Sequence, residues 1–131
     1  MRLDHVGIAV ASLPKAIERW RPLAGDPDSP PEQLPTQGVR VAFLRVGETH
    51  IELLEPLTPE SPVGKFLASR GEGIHHLAFH VPSVDAQLAE LIHRGERVVD
   101  RASRPGARGR RVGFAHPSAF GGVLVEFVES P

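Results

Sequence analysis

The chain has no cysteine, which excludes disulfides and thiol chemistry at once. It has almost no net charge, −1 from 15 basic and 16 acidic residues, so its overall balance gives no case for nucleic-acid or membrane-surface binding. No apolar run approaches the roughly 20 residues that a membrane-spanning helix needs, and the N-terminus lacks the hydrophobic region of a signal peptide. A cytoplasmic location is the expectation. What is present is ordinary for a soluble globular protein: 40% hydrophobic and 24% charged residues over 131 positions, enough for one domain with a sizeable core.

The informative feature is internal repetition. Leu3-Asp4-His5-Val6-Gly7-Ile8-Ala9-Val10 aligns without gaps on Ile74-His75-His76-Leu77-Ala78-Phe79-His80-Val81, at an offset of 71 residues. Each run is apolar and strand-like, with a histidine third. At the same offset Val41-Ala42-Phe43-Leu44 falls on Val112-Gly113-Phe114-Ala115. Ile51-Glu52-Leu53 falls on Val125-Glu126-Phe127 at an offset of 74, a three-residue insertion in the second copy. Self-similarity of this kind means two copies of one supersecondary unit. Units of about 65 residues are marginal alone, so the two are expected to share a core.

Each copy reads as β-α-β-β-β. In the first, residues 3–10 form a strand. Ser12 caps a helix whose apolar residues Leu13, Ala16, Ile17 and Trp20 follow the i, i+3, i+4, i+7 spacing, and Gly25 stops it. Residues 26–36 are rich in proline, which cannot donate to a ladder, so a strand there is an edge strand. Residues 39–46 and Thr49–Leu54 form a hairpin about Gly47-Glu48. Ser61 and Pro62 open a short linking helix, and Arg70-Gly71-Glu72-Gly73 ends it. In the second copy, residues 74–81 form a strand, Ser83 caps a helix closed by Gly95, 97–102 form a weak strand, and 111–115 pair with 122–128. The boundaries are therefore module one 1–57, a linker helix within 58–72, and module two 73–131, in one α+β domain.

The repeat also selects candidate chemistry. Glu52 and Glu126 stand mid-strand between apolar neighbours. A single such glutamate commonly faces water or pairs with an arginine, and a single histidine on an apolar strand is usually a satisfied core residue. His5 with Glu52, and His76 with Glu126, double the pattern at equivalent points. Two imidazoles and two carboxylates suit a divalent first-row metal and leave its identity open. His50 shares a strand face with Glu52; His75 points to the face opposite His76. His80, His93 and His116 read as a strand end, a polar helix face and a turn. The loop Arg104-Pro-Gly-Ala-Arg108-Gly-Arg110-Arg111 offers charge and backbone N–H groups to phosphates, or is simply a solvated basic loop.

These residues resemble the methylmalonyl-CoA epimerase family of the vicinal oxygen chelate superfamily, which also holds glyoxalase I and the extradiol dioxygenases. The resemblance is carried by Leu3–Val10, Gln37-Gly-Val-Arg-Val-Ala-Phe43, Ile51-Glu-Leu-Leu-Glu-Pro-Leu57, Ser61-Pro62, Lys65-Phe66-Leu67, Arg70-Gly-Glu-Gly-Ile-His-His76, His116-Pro117 and Gly121-Gly-Val-Leu-Val-Glu126, nearly the whole chain. It implies paired βαβββ modules whose curved, mostly antiparallel sheet surrounds a metal held by His5, Glu52, His76 and Glu126. It implies one divalent ion, Co2+ foremost, with Mn2+, Ni2+, Zn2+ or Mg2+ as alternatives. It implies epimerisation of 2R- and 2S-methylmalonyl-CoA by proton abstraction at C2 through a metal-stabilised enolate, with Glu126 as the base and, since Val41 carries no proton, Glu52 or His50 as the second acid–base group. CoA contacts are expected from Arg104, Arg108, Arg110 and Arg111, and the assembly expected is a homodimer.

The chain departs from the family pattern in three places. Some relatives carry a second glutamate where this chain has Val41. Many have lysine after the proline of His116-Pro117. Residues 26–36 are unusually rich in proline. The alternative readings are a glyoxalase I-type isomerase acting on a glutathione hemithioacetal and a non-enzymatic small-molecule-binding protein of the same fold. A dioxygenase fits less well, since that chemistry uses a three-ligand facial site.

Overall fold

The structure is a computed structural model describing residues 1–131. Its strands are β1 (Arg2–Ala9), β2 (Glu32–Leu34), β3 (Val39–Val46), β4 (Thr49–Pro56), β5 (Gly73–His80), β6 (Arg104–Pro105), β7 (Arg111–Ala115) and β8 (Val125–Val128). Its helices are α1 (Leu13–Ala24), α2 (Pro62–Arg70) and α3 (Val84–His93). The strands form a mixed sheet in the order β2-β3-β4-β1-β5-β8-β7-β6. The doubled β-α-β-β-β plan is therefore present, with α2 between the copies. In each copy the first and last strands are parallel neighbours, β1 with β4 and β5 with β8, and the hairpins are antiparallel. No helix is long and apolar enough to cross a membrane. The chain divides into two compact units, His5–His75 and Met1–Asp4 with His76–Pro131, so β1 and β5 each contribute residues to both.

In the unit His5–His75, α1 begins where Ser12 Oγ accepts from the Lys15 N–H. It ends at Gly25, whose φ of 70° frees its N–H to reach the Arg21 carbonyl. The helix buries Leu13 and Ala16 against Val10, Ala42, Leu44 and Leu53. Side chains alternate along a strand. With Ala42 and Leu44 turned toward the helix, Val39, Val41 and Phe43 occupy the other face of β3. The proline-rich segment contributes only the three-residue β2, paired to β3 alone at one end of the strand order. Pro30, Pro31 and Pro35 flank it and have no N–H to extend the ladder.

In the other unit, Ser83 Oγ accepts from the Ala86 N–H to start α3, whose Val84, Leu88 and Leu91 pack with Val81, Ala115, Val125 and Phe127. The helix lies so close to β7 that a Cβ on Gly113 would meet Leu88 Cδ1 at 2.8 Å and Val84 Cγ1 at 2.9 Å. The strand expected over 97–102 does not form. Val98 makes an isolated bridge to Ala115, and regular pairing is confined to Arg104–Pro105. The cause is Asp100, whose carboxylate takes the Phe114 N–H at 2.9 Å, a donor that a regular ladder would give to a carbonyl. The last strand also starts later than the expected 122, because Gly121 and Gly122 have φ of 65° and 103° and form a turn instead.

Candidate metal centre

His5 sits on β1 and Glu52 on the parallel neighbour β4, where Glu52 stands opposite Gly7. Gly7 shares the face of His5, two residues away, so the register alone turns imidazole and carboxylate to the same side. His5 Nε2 lies 3.3 Å from Glu52 Oε1, with the residues only 3% and 5% exposed. Phe43, opposite Glu52 on β3, meets the His5 ring edge-on at 5.5 Å between centroids and 89° between planes.

The second copy builds the same arrangement. His76 is on β5, and Glu126 on parallel β8 stands opposite Ala78. His76 Nε2 is 3.1 Å from Glu126 Oε1, and both residues are buried. Phe114, opposite Glu126 on β7, meets the His76 ring edge-on at 5.5 Å and 81°. Each histidine is thus held by a carboxylate at its Nε2 edge and a phenyl ring against its flank. The two phenylalanines are neighbours of the group that no pattern of ligand residues in the sequence singles out. Their signal was present, since both lie in the run that repeats at the 71-residue offset.

The four sequence-selected residues form one group, each offering a ligand atom, with all four atoms within 4.8 Å of one another. Two imidazole nitrogens and two carboxylate oxygens fit a divalent cation of the first transition row. The His–Glu spacings fit as well: adjacent donors each about 2.1 Å from an ion and at right angles to one another are about 3.0 Å apart. Burying two carboxylates is costly without compensating positive charge, and a cation supplies it.

The remaining histidines lie outside this group. His50 Nε2 is 3.2 Å from Asp28 Oδ2, and its ring lies edge-on to Phe43 at 6.0 Å. His75 lies edge-on to Phe66, and His80 Nε2 is 2.8 Å from Ser130 Oγ. His93 is in the last turn of α3, and His116 Nδ1 accepts from the Ser118 N–H.

The basic loop is organised by its own arginines. Arg110 donates both terminal nitrogens to Asp4, at 2.7 and 3.0 Å, and its Nε to the Glu129 carbonyl. Arg111 donates to the Ser103 carbonyl at 2.6 Å. Arg104 donates to Asp100 at 3.1 Å and lies over the Phe114 ring at 5.7 Å, one side chain away from His76. Arg108 occupies the left-handed region at φ 61° and turns the loop.

A sequence profile of the Glyoxalase/Bleomycin resistance protein/Dioxygenase superfamily matches residues 4–114. The chain is 41% identical over 128 residues to the uncharacterised Bacillus subtilis protein YqjC, covering 98% of this chain and 91% of that one. It is 37% identical over 130 residues to the mitochondrial methylmalonyl-CoA epimerase of Bos taurus, covering 98% of this chain and 74% of the relative. Among solved structures, a single-substitution (serine-to-threonine) variant of Streptomyces coelicolor methylmalonyl-CoA epimerase in complex with 2-nitronate-propionyl-CoA superposes with a TM-score of 0.93. That match has 40% identity and covers 99% of this chain and 94% of the other.

Proposed function

The chain belongs to the Glyoxalase/Bleomycin resistance protein/Dioxygenase superfamily, and from that premise we propose that it is an epimerase interconverting 2R- and 2S-methylmalonyl-CoA with the help of one divalent metal ion. The relatives of known activity support the reaction. The observation that carries the site is the buried group of His5, Glu52, His76 and Glu126.

In the proposed reaction the C2 proton lies between a thioester and a carboxylate, and both groups acidify it. A bound divalent cation, with Co2+ the first candidate, supplies Lewis-acid stabilisation of the negative charge that develops on oxygen when this proton leaves. The chain supplies the rest. His5 and His76 present Nε2 beside the carboxylates, and Phe43 and Phe114 pack edge-on against the two rings. Burial keeps water away, so electrostatic stabilisation of the developing charge is stronger than in solution. Glu126 takes the C2 proton onto its carboxylate. Glu52, beside His5, would complete the ligand set. The loop carrying Arg104, Arg108, Arg110 and Arg111 is our assignment for CoA phosphate contacts. Within it Arg110 acts mainly as an anchor, since its guanidinium is bidentate to Asp4.

The test is deuterium uptake at C2 of methylmalonyl-CoA in deuterated water. Chelator-treated protein is expected to lose the exchange, and Co2+ to restore it. A glutathione hemithioacetal is expected to remain unisomerised. Metal-independent exchange would remove the metal from the mechanism. Absence of exchange under all conditions, with turnover of the hemithioacetal, would overturn the epimerase reading in favour of a glyoxalase-type isomerase.

A further inference from the structure

Inversion at C2 needs a second proton carrier. One group removes the proton from one face of the planar carbon, and another must deliver a proton to the opposite face. Relatives that place glutamate at the position of Val41 have a carrier there. Here that position is a valine, 1% exposed, with no proton to give. Glu52 is poorly placed to pair with Glu126 across that carbon: their ligand atoms lie within 4.8 Å of each other, whereas carboxylates about 3 Å from each of its two faces are about 6 Å apart.

The sheet register points to another carboxylate. Glu32 on β2 stands directly opposite Val41 on β3, with Leu34 opposite Val39 two residues on. Residues directly opposite in an antiparallel pair project to the same face, with Cβ atoms about 5 Å apart. That face of β3 is the one turned away from α1, and it carries Phe43 against the His5 ring. Glu52 lies on it too, opposite Phe43. Glu32 therefore shares the sheet face of His5 and Glu52, one strand outward from Val41. Two strand spacings and two residues of rise put its Cα about 12 Å from that of Glu52. The ligand atom of Glu126 lies within 4.8 Å of that of Glu52, so a side chain reaching inward from Glu32 on this face approaches both carboxylates from the β3 side. Glu32 is half-buried, which keeps it accessible from the face without full immersion in solvent. The proline-rich flanks also acquire a purpose. Pro30, Pro31 and Pro35 restrict the backbone on either side of a three-residue strand and hold Glu32 in register.

We infer that Glu32 is the second acid–base residue of the epimerase, taking the place of the glutamate that some relatives carry at Val41. The inference rests on the function proposed above. In one direction the C2–H bond breaks, its electron pair delocalises into the thioester, and the proton passes to the Glu126 carboxylate. The O–H bond of a protonated Glu32 then breaks, and its proton forms the new C2–H bond on the opposite face. In the reverse direction the two carboxylates exchange roles, and the proton count is unchanged.

The test uses the metal-loaded full chain in deuterated water with each epimer separately. Wild-type protein is expected to exchange and invert both; if it exchanges neither, the function itself fails and Glu32 is not at issue. In Glu32→Gln, epimerisation is expected to fall at least about 100-fold. C2 exchange without inversion should persist for one epimer, because Glu126 still works from its own side. Calorimetric Co2+ affinity and thermal midpoint should match wild type. Adding Val41→Glu to Glu32→Gln should recover inversion. The inference is overturned if Glu32→Gln epimerises within roughly threefold of wild type, or loses exchange of both epimers. Loss of Co2+ binding in both Glu32→Gln and the milder Glu32→Asp would make the residue structural and overturn it as well.

Discussion

Phe43 and Phe114 set the limits of what single residues could reveal. The four ligand candidates were legible because a rare pairing, histidine with glutamate in apolar strands, recurs at equivalent positions. The phenylalanines recur at the same offset, yet an apolar residue in a strand explains itself as core, and its recurrence adds nothing until coordinates show the edge-on contact. Their role is expected to be separable from core packing. Phe114→Leu keeps most of the volume but removes the ring edge at His76. Because groups that orient a ligand tune metal affinity, the substitution should weaken Co2+ binding by roughly tenfold. Volume-conserving apolar exchange of this kind should cost under about 1.5 kcal/mol of stability. Calorimetric titration with Co2+, read beside thermal unfolding, checks the split. Equal losses in both would make the ring ordinary core.

Helix starts were readable at the scale of elements because capping is local. Ser12, Ser61 and Ser83 each accept from a backbone N–H three residues on, as their sequence contexts predict. The strand expected over 97–102 does not form, because its fate depends on a distant partner. Asp100 captures the Phe114 N–H and also holds Arg104, so one carboxylate replaces a stretch of ladder and tethers the basic loop. Asp100→Ala leaves that backbone donor without its acceptor, and an unsatisfied buried donor costs about 1–3 kcal/mol. Urea denaturation should show a loss of that size. Asp100→Asn, which keeps an acceptor oxygen, should recover much of it. A neutral Asp100→Ala would mean that the segment reverts to regular pairing when the carboxylate is gone.

Across the whole molecule, the repeat made the doubled plan visible, but repetition says nothing about contacts that only one copy makes. Asp4 and Arg110 are such a contact. They are separated by 106 positions, their side chains are 7% and 12% exposed, and they join the start of β1 to the loop before β7 by two charge-assisted hydrogen bonds. Arg110 belonged to a basic run whose sequence suggested ligand binding or a solvated loop, and no spacing rule links it to an aspartate beside the first histidine. Its energetics are asymmetric. Taking both ions out of water offsets much of their attraction, whereas removing one partner leaves the other buried and uncompensated, at about 3–5 kcal/mol. Arg110→Ala should therefore destabilise by about that amount, well beyond what losing a surface arginine would do. The double variant Asp4→Leu, Arg110→Met should regain most of the loss, because no charge is then stranded. A double-mutant cycle in urea measures the coupling. If the single substitutions are each nearly neutral, the pair is solvated in solution, and Arg110 is free to serve the CoA phosphates with its loop neighbours.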